Sequence, residues 1–421
     1  MNRHRRTFLK HLGLGGLLLS AGPGGLLVGR SEASSVAVGP NVGKVLVVVF
    51  LRGGCDGLNL LVPFGDSGYY DSRPGLAIAP PSGANPESAL DLDGFFGLHP
   101  AMTALHGLYQ SGWVAALPAV HYPGASLSHF VGQDYVEYGM PSVSSTGWLG
   151  RYLATLPGDA GEKAFALTGG VPRSLLGSVP VSAVSDLASM NLASTSADRS
   201  LLGAMMATEY ARAPLGGHPY DAAVKAAGNQ LLADINELQN VNGMPVYNGA
   251  VYPATTFGRQ MRQAAGLLKT RGGIELLAVD FGGWDTHRNQ GAGQSTGTQS
   301  MLLNQLSEGI NAFFTDLGSS ASDVLVLAIT EFGRTVAENG SGGTDHGNAS
   351  TWLAVGPRVK GGIRSVNGWP GLAPAQQDRG RYLAQSTDFR DVYGEVLNRF
   401  LGVSNPASLL AGYTPKNVGF L

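Results

Sequence analysis

Four short runs of apolar residues stand out along the chain, at residues 45–51, 114–120, 274–279 and 324–329. Residues 45–51 are almost continuously apolar, as is typical of a strand that is covered on both faces of a sheet. The other three runs have a similar length and a similar content of valine, leucine, isoleucine and alanine. The pattern therefore predicts β-strands at all four places.

Helical periodicity is clearest between the last two runs and near the carboxyl end. In residues 301–317, apolar side chains recur at spacings of three and four. Residues 274–329 therefore form a predicted strand, helix, strand unit, whose crossover we expect to be right-handed. Asp388 is a predicted N-cap for a helix that continues to Phe400 and ends before Gly402. Alternation of strands and helices predicts an α/β fold with a largely parallel central sheet.

Two regions depart from this alternation. Residues 63–99 are rich in Gly, Pro, Asp and Ser, and predict a long loop over the edge of the sheet. Residues 200–270 contain helix-like pieces, such as 220–238 and 257–268, without a convincing strand between them. We predict a helical insertion there. Because no clear linker interrupts the chain, residues 40–421 are predicted to form a single α/β domain.

The amino-terminal segment differs from the rest of the chain. Residues 4–10 (HRRTFLK) precede a moderately apolar stretch, residues 12–28, which contains two Gly pairs and a proline, and Ser31-Glu32-Ala33 offers a small-residue cleavage site. The other interpretation is an ordinary amphipathic start with two chance arginines. The arrangement resembles a twin-arginine export signal. We expect residues 1–33 to be removed, the twin-arginine export machinery to be a partner, and the mature protein to be periplasmic or extracellular.

Composition narrows the classes of function. The 421-residue chain has a formal net charge of -2 and only 14% charged residues, so it lacks the basic stripe that binding to a phosphate backbone needs. Nucleic acid is therefore not an expected partner. Cys55 is the only cysteine, which excludes an intrachain disulfide. The 62 glycines are roughly twice average usage, and several adjoin acidic residues, where they let the backbone approach a ligand closely.

Two aspartate and histidine pairs are the first candidates for chemistry. Asp285 and His287 are two residues apart in a Gly-rich loop after the third apolar run, and Asp345 and His346 are adjacent in another such loop. Carboxylate oxygen together with imidazole nitrogen suits zinc, manganese or iron. The other interpretation is a pair of loops in which each aspartate caps a turn and His287 stacks on Trp284. Two such pairs in one chain favour a divalent metal site.

Two further carboxylates follow predicted strands. Glu331 comes directly after residues 324–329, where a carboxylate needs a partner or a cation to offset its desolvation. Arg334 is either that partner, in a structural ion pair, or a catalytic group that holds an anionic substrate oxygen. Asp56 follows residues 45–51 and is either a metal ligand or the start of an Asx turn. Because ligands bind beyond the carboxyl ends of parallel strands, we expect these residues to meet.

A nucleophile is harder to assign. Ser126, Ser128 and His129 follow residues 114–120, and a serine is nucleophilic at neutral pH only beside a base or a metal. Ser128 with His129 is the first choice for a catalytic pair, and Ser126 is the second. The other interpretation is a serine-rich loop with a capping hydroxyl.

The motifs resemble a known family as a set. Together with the export signal, the segments at residues 50–59 (FLRGGCDGLN), 283–287 (GWDTH), 331–335 (EFGRT) and 343–347 (GTDHG) are similar to a bacterial family of exported proteins of unknown function in the alkaline phosphatase and sulfatase superfamily. The resemblance implies an alkaline-phosphatase-like α/β sandwich with helices on both faces, and one or two divalent metals. Cys55 lacks the flanking spacing of the cysteine that type I sulfatases modify. By position, the ligands implied are Asp56, Asp285, His287, Glu331 and His346.

These observations lead to two hypotheses. The first is an exported metal-dependent hydrolase of phosphate, phosphonate or sulfate esters, which acts on a small anionic ester with zinc, manganese or iron. The metal would be held by Asp56, Asp285, His287, Glu331, Asp345 and His346, and either Ser128 or water would attack. The second is a non-catalytic envelope protein of the same fold, which binds an envelope partner or takes part in surface assembly.

Overall fold

The computed structural model describes residues 43–124, 126–158, 163–189, 196–212, 243–270, 272–291 and 297–421, together with Lys225, Leu232, Leu238 and Val241. Its strands in chain order are β1 Val45–Arg52, β2 Leu61–Val62, β3 Leu90–Asp91, β4 Gly97–Leu98, β5 Val114–His121, β6 Ala164–Leu167, β7 Ser182–Ala183, β8 Leu276–Gly282, β9 Val324–Ile329, β10 Ser350–Val355, β11 Gly362–Ile363 and β12 Thr387–Asp388. Its α-helices are α1 Gly57–Leu60, α2 Ser67–Ser72, α3 Thr103–Gln110, α4 His129–Tyr138, α5 Trp148–Leu153, α6 Ser196–Ala211, α7 Thr256–Thr270, α8 Thr298–Leu317 and α9 Phe389–Glu395.

Nine of the described strands form one central sheet. Its order is β11-β5-β10-β9-β1-β8-β6-β7, and β12 also pairs with β5. Strand β1 lies between β9 and β8 and runs parallel to both. Strand β10 is antiparallel to both of its neighbours, β5 and β9. The sheet is therefore mostly parallel, and the carboxyl ends of β1, β5, β8 and β9 lie at the same edge.

Helices cover both faces of this sheet. Alternate side chains of β1 belong to different cores: Val47 packs in a cluster with residues of α3, α7 and α8, and Val48 packs in a cluster with residues of α4, α5 and α9. The side chains of β1 are almost completely buried on either face, which explains its continuous apolar sequence. The predicted α/β fold with a largely parallel sheet is confirmed.

Most of the predicted elements are present. The four apolar runs correspond to β1, β5, β8 and β9, and β8 begins and ends slightly later than expected. Helix α8 includes the periodic segment and starts at Thr298. Asp388 caps α9, because its side chain accepts a hydrogen bond from the amide of Arg390, and the helix continues in a π-helical turn to Phe400. Gly402 follows with a φ of 78°, as expected for a residue that ends a helix.

The structure of residues 63–99 differs from the predicted long loop. This segment is not a plain loop, because it contains α2 and the strands β3 and β4, which form a small antiparallel sheet with β2. Strands of two residues carry too little alternation to be recognised in a sequence.

Two other predictions concern segments that are described only in part. Residues 1–42, with the expected export signal, lie outside the described residues, as do most of residues 213–242 within the expected helical insertion. Helix α7, at the end of that region, packs against α8 and β8 and so belongs to one layer of the sandwich. Within the described residues, no helix is both long and apolar enough to cross a membrane.

Two histidines are buried as neutral groups beneath the loops. His99 is 1% exposed, and its Nδ1 accepts a hydrogen bond from the amide of Ala101. Burial lowers its pKa to about 4, and burial lowers the pKa of His121 to about 3. A histidine whose pKa falls on folding stabilises the fold above its unfolded pKa of about 6.5, and this stabilisation is lost as the pH falls toward the folded pKa.

The protein is therefore expected to lose stability between pH 6.5 and pH 4. His99→Asn keeps an acceptor at the N-cap and removes the titrating ring. We expect the difference in unfolding free energy between pH 7 and pH 4.5 to shrink by about 2 to 3 kcal/mol in this variant. Urea denaturation at the two pH values measures it, and an unchanged difference would show that His99 is not held neutral.

Candidate metal centre

The predicted site residues lie at the edge of the sheet where β1, β5, β8 and β9 end. Asp285 and His287 follow β8, Glu331 follows β9, and His129 begins α4 after β5. His346 lies in the loop that leads into β10, whose antiparallel direction makes it start at the same edge. Four chain segments distant in sequence therefore meet at one point, as the strand pattern predicted.

Asp285 is the centre of this arrangement. Its Oδ1 lies 3.1 Å from Nε2 of His287 and 3.3 Å from Nε2 of His346. Its Oδ2 lies 3.5 Å from Nε2 of His129. Three imidazole rings thus direct the same nitrogen, Nε2, toward one carboxylate.

The Nδ1 atom of each ring makes a hydrogen bond to a group other than Asp285. Nδ1 of His129 lies 2.9 Å from Oε1 of Glu331, and Nδ1 of His287 lies 3.2 Å from Oδ1 of Asp345. Nδ1 of His346 lies 2.8 Å from the carbonyl oxygen of Leu127. Carboxylates that are ionised and carbonyls only accept hydrogen bonds, so Nδ1 is the donor in all three contacts. A ring that is neutral with its proton on Nδ1 carries its lone pair on Nε2, facing Asp285.

Glu331 orients His129. It is fully buried, and its Oε1 accepts hydrogen bonds from His129, from Nε2 of Gln133 and from the amide of Gly53. Burial opposes its ionisation, but these hydrogen bonds outweigh burial and lower the pKa of Glu331. The hydrogen bond that His129 donates to Glu331 in turn raises the pKa of His129, against the opposing effect of burial. A carboxylate that fixes an imidazole in this way is the usual partner of a metal-binding histidine.

Gly53 is required for this contact. Its φ is 125°, which side chains rarely tolerate, and a Cβ there would lie 2.6 Å from the amide nitrogen of Asp285. The close approach of two loops, which glycine permits, therefore brings the Gly53 amide to Glu331.

The donor set fits a divalent metal ion. Ligand atoms of His129, Asp285 and His346 all lie within 4.8 Å of one another. Nε2 of His129 is buried and has no hydrogen-bond partner among the described residues, so a cation would satisfy an atom that the protein leaves unpaired. Burial lowers the pKa of His346, which favours the neutral, ligating ring. Two histidines and a carboxylate form a ligand set that zinc and iron both accept.

The charges of the centre favour ionised carboxylates. Burial disfavours the charged form of Asp285, but the hydrogen bond and positive charge of Arg334 outweigh it and lower the pKa of Asp285. The pKa of Asp345 is also lowered, first by a hydrogen bond from Asn339 and then by His287. Arg381 adds an ion pair to Asp345 at 3.1 Å. Both aspartates therefore carry full negative charge at neutral pH.

Arg334 is built into the loops. Its side chain is inaccessible to solvent, and its N–H groups donate to Asp285 and to the carbonyl oxygens of Gly53, Gly54, Trp284 and Thr344. This geometry corresponds to the structural alternative considered above, and it leaves little of the guanidinium for a substrate oxygen.

Asp56 lies apart from the histidines. It is 1% exposed, and its carboxylate makes a bidentate contact with Arg73, with N···O distances of 2.6 and 3.0 Å. It also accepts from the amide of Leu58, as in the Asx turn considered above, and from Nε2 of Gln290. Both oxygens are thus occupied by protein donors, and we leave Asp56 out of the candidate ligand set.

Gln290 joins Asp56 to the metal-ligand loops. This residue is fully buried, and because its Nε2 donates to Asp56, its Oε1 faces the hydroxyls of Thr286 and Thr344 at 3.0 and 2.8 Å. Thr286 lies between Asp285 and His287, and Thr344 precedes the second aspartate and histidine pair. One side-chain amide therefore ties together the two loops that carry most of the centre.

The two serines do not form a catalytic pair with His129. Oγ of Ser126 accepts from the amide of Ser128, and Ser128 stands at the N-cap position of α4. In the part of the chain that the structure describes, neither hydroxyl is hydrogen-bonded to an imidazole. His129 itself is turned to Glu331 and Asp285, so the predicted pairing of Ser128 with His129 has no counterpart in the geometry.

The positioning residues were not predicted from the sequence, and the contacts of His129 favour another role than the predicted one. His129 was predicted as a base, although its place at the start of α4, after β5, made it equally a candidate ligand. Gln133 gave one weak signal, since it lies one helical turn after His129. Gln290 and Arg381 gave none, because their partners are distant in sequence.

Comparison with known proteins identifies the family. Residues 110–385 match the model of the family described as "Protein of unknown function (DUF1501)". The chain belongs to this family. The expectation of a family of unknown function is confirmed, whereas export and superfamily placement stay predictions.

Comparisons with curated proteins and with solved structures do not assign an activity. No curated protein matches the chain. Among solved structures, the phosphonate monoester hydrolase of Agrobacterium radiobacter is similar with a TM-score of 0.32 and 10% sequence identity, over 89% of this chain and 79% of that chain. A likeness this remote transfers no activity.

Proposed function

We propose that the protein is an exported metal-dependent hydrolase of phosphate, phosphonate or sulfate esters. One observation carries the proposal: the Nε2 atoms of His129, His287 and His346 converge on Asp285, while each Nδ1 is held from outside. Rings fixed in this tautomer are prepared for a metal ion, because the lone pairs already face one position.

In this proposal His129, His346 and Asp285 hold the metal, with His287 as a further ligand. Zinc or manganese is the expected ion, and iron is the alternative, since histidine and carboxylate suit all three. When bound, a divalent ion supplies Lewis-acid chemistry to an ester oxygen. Glu331 and Asp345 keep the protons of His129 and His287 on Nδ1.

Exposed groups at the same edge suit an anionic ester. The side chain of Arg381 is 56% exposed and touches the site through Asp345. Its guanidinium offers further N–H donors to phosphate, phosphonate or sulfate oxygens, whose geometry it matches. We therefore assign the substrate-holding role, first considered for the buried Arg334, to Arg381.

We propose water as the attacking group, because neither Ser126 nor Ser128 has an imidazole base. The double variant Ser126→Ala, Ser128→Ala is expected to turn over at the rate of the unchanged protein. Loss of a nucleophilic serine costs on the order of a million-fold in a serine protease, so the two mechanisms separate clearly. A loss of that order in a folded, metal-loaded variant would restore serine as the nucleophile.

The experiment that tests the proposal combines metal content and turnover. Elemental analysis of the exported, folded protein should find about one zinc, manganese or iron per chain, the number that one set of ligands holds. The loaded protein should hydrolyse aryl phosphate, phosphonate or sulfate esters, and a chelator should stop it. Absence of metal after incubation with all three ions would refute the proposal.

The alternative is a non-catalytic envelope protein of the same fold. It is favoured by one observation, that the candidate catalytic side chains Ser126, Ser128 and Arg334 have no catalytic partners in the described part of the chain. Bound metal without turnover, together with an envelope protein that co-purifies, would support this alternative. The twin-arginine motif in residues 4–10 supports export, and with it a periplasmic or extracellular location, for both.

A further inference from the structure

A polar cavity of about 520 Å³ lies beside the candidate metal centre. It is bounded on one side by the loop after β5, at Tyr122, and on the other by residues 376–385. Asn348, which also lines it, comes two residues after His346. The loops that carry metal ligands thus also form a wall of this cavity, although none of the ligands lines it.

Three amide side chains in this cavity are fixed in orientation. Asn348 donates Nδ2 to Oδ2 of Asp378 at 3.2 Å, Gln377 donates Nε2 to the carbonyl of Leu372 at 2.7 Å, and Gln385 donates Nε2 to the carbonyl of His121 at 3.1 Å. Because these partners only accept, the amide flips are determined. Within the described residues, the three amide oxygens accept no hydrogen bond. Half-buried Gln377 and Gln385 therefore present acceptors without partners.

The charged groups of the cavity cancel each other. Oδ2 of Asp378 accepts from Nε of Arg379 at 3.0 Å. The terminal N–H groups of Arg379 have no acceptor in the described part of the chain. The cavity thus offers hydrogen-bond donors and acceptors without net charge, which favours an uncharged ligand over an anion or a cation.

Arg379 is held in a disfavoured backbone conformation. Its φ is 54°, in the left-handed region that a non-glycine residue adopts at a cost of about 1 kcal/mol or more. Backbone hydrogen bonds between Asp378 and Tyr382, at 2.9 and 3.0 Å, close the turn, and the guanidinium lies 4.7 Å from the centre of the Tyr382 ring. Strain that the surroundings enforce is typical of ligand clamps.

We propose that this cavity binds an uncharged saccharide unit. Sugar hydroxyls both donate and accept, so they can satisfy the free oxygens of Gln377 and Gln385 and the free N–H groups of Arg379 at once. An apolar ligand would leave all of them unpaired, and a phosphate would meet Asp378. The inference rests on the cavity alone and holds whether or not the neighbouring centre binds metal.

The test uses the full chain and four disaccharides: maltose, cellobiose, lactose and chitobiose. Saturation-transfer NMR is expected to detect binding of at least one, and titration calorimetry gives its affinity. The principal variant is Arg379→Gly, since glycine relieves the positive φ while removing the guanidinium, and the fold should keep its stability. Gln377→Ala with Gln385→Ala is the second variant. Each of the two variants should weaken sugar binding about threefold to tenfold per lost hydrogen bond.

Controls separate this inference from the metal centre. Gln110→Ala, in another cavity lined by His106 and Tyr109, should leave sugar binding unchanged. Asp285→Asn should also leave it unchanged, so the saccharide result does not depend on metal. Absence of binding by all four sugars would overturn the proposal. So would sugar binding by the folded Arg379→Gly and glutamine double variants that is as tight as binding by the unchanged protein, or binding of trialanine in place of sugar.

Discussion

Asp285→Asn is expected to remove metal from the protein. The carboxylate oxygens lie 3.1 to 3.5 Å from three imidazole Nε2 atoms, and asparagine keeps the shape but not the charge. Loss of a residue that merely orients a ligand costs about 10- to 100-fold in metal affinity. We therefore expect Asp285→Asn to weaken binding by more than about 100-fold, measured by competition with a chelator of known affinity.

Two variants calibrate this result. Glu331→Gln removes the carboxylate that orients His129 and should weaken metal binding by about 10- to 100-fold, less than Asp285→Asn. Asp71→Asn, at an exposed position in α2, makes the same chemical change away from the centre and should have no effect. Full metal occupancy in Asp285→Asn would exclude the centre described here.

Arg73→Met is expected to destabilise the protein by about 3 to 5 kcal/mol, the cost of removing one partner from a buried ion pair. Arg73 and Asp56 are 0% and 1% exposed. Without the guanidinium, the Asp56 carboxylate stays buried with no opposing charge, and the carbonyls of Thr335 and Val336 lose their donors. Urea denaturation measures the loss as a lower midpoint at unchanged slope.

A double variant and an exposed pair serve as controls. Arg73→Met combined with Asp56→Asn should cost less than the sum of the single changes, because no unpaired charge remains. Glu209→Gln breaks the ion pair between Glu209 of α6 and Arg212, which follows the end of that helix. The two side chains are 63% and 67% exposed, and the change should cost less than about 1 kcal/mol. If Arg73→Met cost no more than Glu209→Gln, the buried pair would have no structural role.

The fold was largely predictable because strand formation depends on local pattern. The runs that became β1, β5, β8 and β9 are apolar on both sides, as burial between two helical layers requires. Strand β10 was missed although it is fully buried, since its sequence, STWLAV, begins with two hydroxyl residues. The antiparallel insertion of β10 between β5 and β9 depends on long-range pairing that no local pattern encodes.

The position of the candidate site was predictable from the sequence, but the roles of its residues were not. Asp285, His287 and His346 were expected to meet at strand ends, and the structure brings them together. Glu331 and Asp56 were expected to be ligands beside them. Instead Glu331 orients His129, and Asp56 pairs with Arg73. Both carboxylates follow apolar strands, so the sequence offered no means to tell them from Asp285.

The sequence by itself determined that strands of this chain end in loops that carry carboxylates, imidazoles and glycines. That much follows from hydrophobic burial, which is non-directional and is visible in local composition. Only the tertiary structure decided which carboxylate faces three Nε2 atoms, which one fixes an Nδ1, and which one is neutralised by an arginine. These roles depend on hydrogen bonds of about 3 Å between residues far apart in the chain, such as Gly53 and Glu331, which are 278 positions apart. Packing of the loops alone sets distances of that precision.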